Sequence, residues 1–196
     1  MAADGETPLT DFDGLRNRRI RTRSQLAVAE AENIRRAVIR YLVAVPSRKS
    51  ATFNFGWMLG LHTEMFGDVW SWAGQIRTRP LSLGSDPAHI GEHLAQLCDD
   101  IRGREPYMPS MLEQAVLIHH RAVQIHPFRN GNGRWSRMLS NIWLRIHQCP
   151  IVEWPAGIGL ESPIRSEYLA CLRAADAHDM APLLELHARH QPPPRP

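Results

Sequence analysis

The sequence predicts an all-α domain, on three observations. Apolar residues recur at intervals of three and four through most of the chain. Ser, Asp, Pro and Gly stand where such stretches would begin and end. The segment that breaks the helical period, residues 76–84, is short.

The elements follow in order. Residues 1–12 are a polar arm. Ser24 is placed to cap a helix running to about Val45, with Leu26, Ala29, Ile34, Val38, Tyr41 and Leu42 as its apolar stripe. Pro46 ends it. A second helix is expected over Thr52–Phe66, with Phe55, Leu59, Leu61 and Met65 inward and Gly67 as its stop. Ile76 to Gly84 alternates Thr, Leu and Pro and reads as extended. Asp86 or Pro87 starts a helix to about Arg102, and Pro109-Ser110 opens another with Leu112, Ala115, Val116, His119 and Val123 on one side. Trp135 to His147 reads as the long central helix, rich in Met138, Leu139, Ile142, Trp143 and Leu144. Helices over Ile164–Ala177 and Ala181–His190 complete the bundle, and residues 191–196 form a Pro-rich tail.

A chain of 196 residues is one domain by size and buries roughly 70% of its extended surface. The net charge of +3 is mild, and no basic run is long enough to carry nucleic-acid binding. The densest run, Arg16 to Arg23, reads as a solvated arm or helix face, with an acidic partner or RNA as the alternative contact. Cys98, Cys149 and Cys171 are odd in number and widely spaced. That pattern excludes a disulfide framework and a structural zinc site and fits a reducing cytoplasm. The start of the chain has no apolar core of signal-peptide length, and no stretch approaches a membrane span. His119-His120 could be mistaken for a metal pair. Adjacent residues do not share a helix face, so packing is the better reading.

The chemistry concentrates in His126-Pro127-Phe128-Arg129-Asn130-Gly131-Asn132-Gly133-Arg134-Trp135-Ser136-Arg137. His126 can take a proton near neutral pH. The glycines let backbone N–H groups approach a ligand. If a helix starts here, those groups sit at its positive end, which is an anion site. Arg134 and Arg137, three apart, share a helix face and can clamp one polyanion. Taken singly, each residue has an ordinary packing or surface explanation. Taken together at this spacing, they read as nucleotide chemistry.

This stretch resembles the signature of Fic (Fido) domain proteins, H-x-F-x-[DE]-G-N-G-R-x-x-R, with Asn130 in the acidic place. The similarity extends to Leu61–Gly74, to Tyr168–Asp176 and to Pro182-Leu183-Leu184, and it is greatest to the subgroup called mobile mystery protein B. The resemblance implies a Fic-type helical bundle with a short β-hairpin flap over residues 76–84. It divides the chain into an arm and candidate inhibitory helix (1–48), a Fic domain (49–190) and the tail (191–196). It implies transfer of AMP from ATP to a Ser, Thr or Tyr hydroxyl of a protein docked along the flap, with Mg2+ as cofactor. The alternatives are a degenerate nucleotide-binding module acting through a partner, and a phosphotransferase. It also implies a bacterial, mobile-element setting with an antitoxin or helix-turn-helix companion.

Carried over by position, His126 is the general base and Phe128 anchors the loop. Gly131, Asn132 and Gly133 form the anion hole, and Arg134 and Arg137 hold the outer phosphates. Asn130 stands at the metal position with a neutral oxygen in place of a charged one. Magnesium is then held more weakly, or Arg134 carries more of the charge, or transfer is lost and binding remains. Relatives carry an inhibitory helix, [ST]-x-x-x-E-[GN], whose Glu pairs with the second motif arginine. Glu32-Asn33 matches the end of that pattern with Val28 in the Ser/Thr place, which makes Glu32 the first candidate and Glu30 the second.

Overall fold

The computed structural model describes residues 12–44, 46–104, 110–159 and 161–193. The expectations for residues 1–11 and 194–196 lie outside the described residues. Seven α-helices are present among them: α1 (Arg23–Val38), α2 (Phe55–Phe66), α3 (Ile90–Arg104), α4 (Met111–Ile125), α5 (Asn132–Ile146), α6 (Pro163–Asp176) and α7 (Ala181–Arg189). No described helix is long and apolar enough to cross a membrane.

The caps explain the boundaries and correct several expected ones. α1 starts from Thr22, not Ser24. The Thr22 hydroxyl accepts from Gln25 N–H, and the Gln25 side chain accepts in return from Thr22 N–H. A π-helical turn, Ile39–Val43, continues α1. α2 starts three residues later than Thr52, because the Asn54 side chain accepts from Trp57 N–H at 2.8 Å. Asp86 caps a short 3-10 turn, Pro87–His89, that runs into α3. Ser110 caps α4 and Ser162 caps α6.

α4 and α5 share the most extensive helix pairing, and their joining loop is the twelve-residue motif's first half. One apolar core lies among α1 to α5, with Met58, Leu61, Met65, Phe128, Trp135, Leu139 and Ile142 fully buried or nearly so. A second lies where α6 and α7 cover α4, around Val116, Tyr168, Leu172, Leu183 and Leu186. Trp154 and Leu112 pack against both. Ahead of α1, Leu15 forms an isolated antiparallel bridge to Trp70.

The expected hairpin over 76–84 is absent among the described residues, which hold no strand there. The backbone N–H of Arg77, and that of Ser85 just past the segment, bond to the 125–127 turn instead of across a hairpin. Arg77 N–H donates to Pro127 O at 2.9 Å, and Ser85 N–H donates to Ile125 O at 3.1 Å. Pro80 has no N–H to offer a partner strand.

Candidate active site

Gly131 turns the chain from the motif loop into α5. Its φ is +80°, and a Cβ there would lie 2.8 Å from the Phe66 ring. Only glycine fits both demands. Because glycine has no side chain to cap the helix, the first N–H groups of α5, from Asn132 to Arg134, face outward from an uncapped positive end. Trp135 N–H closes the first helical bond, to Gly131 O at 2.9 Å.

The loop ahead of that terminus is rigidly held. Asn132 clamps Phe128 from both sides: its Oδ1 accepts from Phe128 N–H at 2.9 Å and its Nδ2 donates to Phe128 O at 2.8 Å. Asn132, expected in the anion hole, is thus a structural brace of the loop. The Phe128 ring is fully buried, stacked on His62 at 3.7 Å and edge-on to Trp135 at 5.0 Å. His62 adds a second tie. Gly74 N–H donates to His62 Nδ1 at 3.0 Å, so the proton sits on Nε2, which donates to Asn130 O at 3.0 Å. Burial pushes His62 down to about 3, so it stays neutral.

His126 ends α4 in the left-handed region, φ 51°. Its Nδ1 faces Val123 O at 3.3 Å. A carbonyl can only accept, so Nδ1 carries the proton and Nε2 is left with a free lone pair. Burial lowers its pKa, the nearby Arg77 cation lowers it further, and the Val123 carbonyl opposes both. The imidazole is therefore neutral and able to accept a proton at pH 7.

The two motif arginines have different surroundings. Arg134 lies over the Phe66 ring at 4.7 Å, and its Nη1 donates to Glu30 Oε2 at 2.6 Å. The other oxygen of Glu30 accepts from the Trp70 indole at 2.7 Å. Arg137 meets no carboxylate among the described residues. It lies between Trp154 and Tyr168, 5.9 and 5.8 Å from their ring centroids, and interacts with the Tyr168 hydroxyl. Both arginines line a cleft of about 190 Å³ whose far wall is Ile34, Val38 and Leu42 of the first helix and its π turn.

Two expectations are corrected here. Glu32 does not reach either motif arginine: it points to solvent and is held by Arg35 at 2.9 Å. It lies two positions, about 200° around the helix, from Glu30, which faces inward. The carboxylate that does reach the motif, from Glu30, meets Arg134 and not Arg137. Asn33, which suggested Glu32, is itself buried: it donates to Glu64 O at 2.9 Å and accepts from Asp68 N–H at 3.0 Å.

Asn130 is exposed, and its Oδ1 accepts from Gly131 N–H at 2.7 Å. It can offer a metal one neutral oxygen. No cluster of three or more His, Cys, Asp or Glu ligands occurs among the described residues. His119 and His120 have separate hydrogen-bond partners. His120 Nε2 meets Asp176 at 2.8 Å on one side of α4. His119 is fully buried in a chain of hydrogen bonds whose direction is fixed by its end. Leu183 O accepts from His187 Nδ1 at 2.7 Å, His187 Nε2 accepts from His119 Nδ1 at 2.9 Å, and His119 Nε2 accepts from the Tyr168 hydroxyl at 2.9 Å. The phenol oxygen is left with its lone pairs toward Arg137. Sequence reasoning missed this relay, because His119 and Leu183 look like ordinary core positions.

A cleft of about 440 Å³ opens between Leu83, Gly84 and Ser85, the last turns of α4, and Leu169, Leu172, Arg173 and Asp176 of α6. It adjoins His126, whose Cβ would lie 2.5 Å from a Cβ on Gly84.

Residues 52–144, from just before α2 to within α5, match the family described as Fic/DOC. Residues 52–144 form a Fic/DOC domain. The His126–Arg137 stretch lies inside the matched residues. The chain is similar to protein adenylyltransferase fic-1 of Caenorhabditis briggsae, 28% identical over 79% of this chain. It is also similar to protein adenylyltransferase Fic of Drosophila willistoni, 35% identical over 67% of this chain. It spans only 30% and 26% of those two relatives. Among solved structures it resembles a fragment of Fic-1 from C. elegans, with TM-score 0.68, 25% identity, and coverage of 86% of this chain and 48% of that one. It also shares its fold with the BepC effector of Bartonella tribocorum, solved with AMPPNP. There the TM-score is 0.67 at 19% identity, covering 98% of this chain and 96% of that one.

Proposed function

We propose that this Fic/DOC domain transfers AMP from ATP to a hydroxyl of a protein. The observation that carries the reading is the arrangement at the end of α4. A neutral imidazole with a free Nε2 precedes a clamped loop. The loop leads into an uncapped helix terminus, and two arginines follow on one face of that helix. In the reaction, His126 Nε2 takes the proton of the target hydroxyl as its oxygen bonds to the α-phosphorus. The bond from that phosphorus to the bridging oxygen breaks, and pyrophosphate leaves with the electron pair. The N–H groups at 132–134 face the α-phosphate oxygens, and Arg134 and Arg137 hold the outer phosphates. The cleft between Leu83 and α6 accepts the nucleoside, whose base packs on Leu169 and Leu172. A target segment lies along residues 76–84, where Leu81 and Leu83 are exposed.

Magnesium, when bound, offsets phosphate charge. Asn130 is the chain's own donor for it, and its neutral oxygen makes the ion depend mainly on the nucleotide. We further read Glu30 as a restraint on Arg134 in the resting state, because one guanidinium cannot hold a carboxylate and a phosphate at full strength together.

The test is incubation with α-labelled and γ-labelled ATP. Protein label from the α position alone supports nucleotidyl transfer, and its loss in His126→Ala with ATP affinity kept supports the base; a general base contributes about 10²–10⁴-fold. Label from the γ position means phosphorylation. ATP binding without label means a binding module.

A further inference from the structure

The turn that carries His126 is held from outside its own helix. Three successive carbonyls there accept from residues 77–85. Ile125 O accepts from Ser85 N–H at 3.1 Å, His126 O from Arg77 Nε at 2.8 Å, and Pro127 O from Arg77 N–H at 2.9 Å. The same guanidinium donates through Nη1 to Arg79 O at 2.9 Å and through Nη2 to Ser85 O at 2.5 Å. Arg77 is only 7% exposed, and no carboxylate pairs with it among the described residues. A buried cation satisfied by neutral oxygens alone is a costly way to brace a surface loop.

We propose that Arg77 is the positioning residue for His126, fastening residues 77–85 to the 125–127 turn and so locking the imidazole in its left-handed backbone conformation. A non-glycine residue at φ 51° costs about 1 kcal/mol or more and persists only where neighbours over-determine it. Here the neighbours are the donors just named. Gly84, at φ +98°, lets the segment press against the turn: a Cβ there would lie 2.5 Å from His126 Cβ and 2.9 Å from Arg77 Nη2. The arrangement has an electrostatic consequence. The groups acting on the imidazole are its burial, the Arg77 cation and, from α4, the Val123 carbonyl. Burial and Arg77 both disfavour the protonated form, and no carboxylate among the described residues opposes them. One side chain thus fixes the direction of the base and helps keep it unprotonated.

The catalytic part rests on His126 being the base of the proposed transfer; the positioning part does not. The experiment is a proton NMR titration of the His126 imidazole in the unaltered protein, Arg77→Met, Arg77→Lys and Gly84→Ala, beside labelling kinetics with α-labelled ATP. Arg77→Met removes cation and clasp, so the His126 midpoint should rise, with burial still holding it below the ordinary imidazole value. Arg77→Lys keeps the cation and loses the fork, so its midpoint should move less. Both should lower kcat by about 100-fold with KM for ATP within about threefold, as expected when a base is displaced by an ångström. Gly84→Ala pushes the segment away with Arg77 intact and should also lower kcat at least about tenfold. Folded Arg77 variants with an unmoved midpoint and unchanged kcat would overturn the proposal. If they do not fold, Gly84→Ala decides: an unchanged rate and titration there overturns it. A midpoint shift in a protein that never labels supports the positioning role and refutes the transfer reading instead.

Discussion

The Glu30 carboxylate bridges Trp70 and Arg134: one oxygen accepts the indole N–H at 2.7 Å and the other accepts Arg134 Nη1 at 2.6 Å. This ties the first helix to the turn after α2 and to the first turn of α5 through one buried side chain, 7% exposed. Glu30→Gln keeps an oxygen for Trp70 and removes the charge that competes with phosphate. Labelling from α-labelled ATP should rise several-fold, roughly the 1 kcal/mol of a net charge-assisted bond. Thermal stability should fall by a similar energy. Glu32→Ala, at a solvent-facing pair with Arg35, should change neither. A Glu32 effect larger than the Glu30 effect would refute the assignment.

Asn130→Asp tests the metal position. The carboxylate can still accept from Gly131 N–H, as the amide oxygen does at 2.7 Å, so the loop is kept while a charged ligand is added. Half-maximal Mg2+ for labelling should drop about tenfold or more, with little change at saturating Mg2+. Identical magnesium curves would show that residue 130 does not meet the ion.

Tyr168→Phe deletes the hydroxyl that links His119 to Arg137. The ring still packs beside Trp154, with centroids 6.0 Å apart, so the fold should hold. Arg137 loses an acceptor and the His119 lone pair is left unsatisfied. Affinity for ATP should fall about three- to tenfold, while affinity for AMP, which lacks the outer phosphates, should stay within twofold, as about 1 kcal/mol predicts. Equal losses for both nucleotides would mean that the relay only supports the core.

Acid should destabilise the fold before its carboxylates titrate. Burial holds His187 down to about 4 and His62 to about 3, and holds His119 well below its usual value. In the unfolded chain all three take protons near pH 6.5. Below that pH the unfolded state binds more protons, so stability falls as pH drops, down to about 4 for His187 and about 3 for His62. Each contributes at most about 1.4 kcal/mol per pH unit. Urea midpoints at pH 7, 6 and 5 measure this. A flat profile across that range would mean that these imidazoles are not buried as neutral groups.

Helix periodicity and caps placed all seven helices to within a few residues, because short-range spacing encodes an amphipathic face. α1 shows where that stops. Of its expected apolar stripe only Tyr41, in the π turn, is fully buried; Leu26, Ala29, Ile34 and Val38 pack at the edge of the core, while Glu30, Asn33 and Ala37 are the buried residues of α1 itself. A buried carboxylate has no sequence signature until its donors, forty and 104 positions away, are known. Residues 76–84 failed as a hairpin for a related reason. Their extended pattern was legible, but their hydrogen-bond partners lie on the 125–127 turn.

What the sequence by itself determined was the all-α class and the grouping of His126, Gly131, Arg134 and Arg137 on one loop and helix start, since a contiguous motif carries its own spacing. It could not show which carboxylate reaches which arginine, the tautomers of His62, His119 and His187, or Arg77 as the clasp of His126. Those depend on which donors and acceptors are brought together from distant segments. Inside a packed core each such group must find a partner, and only the tertiary structure decides which one it finds.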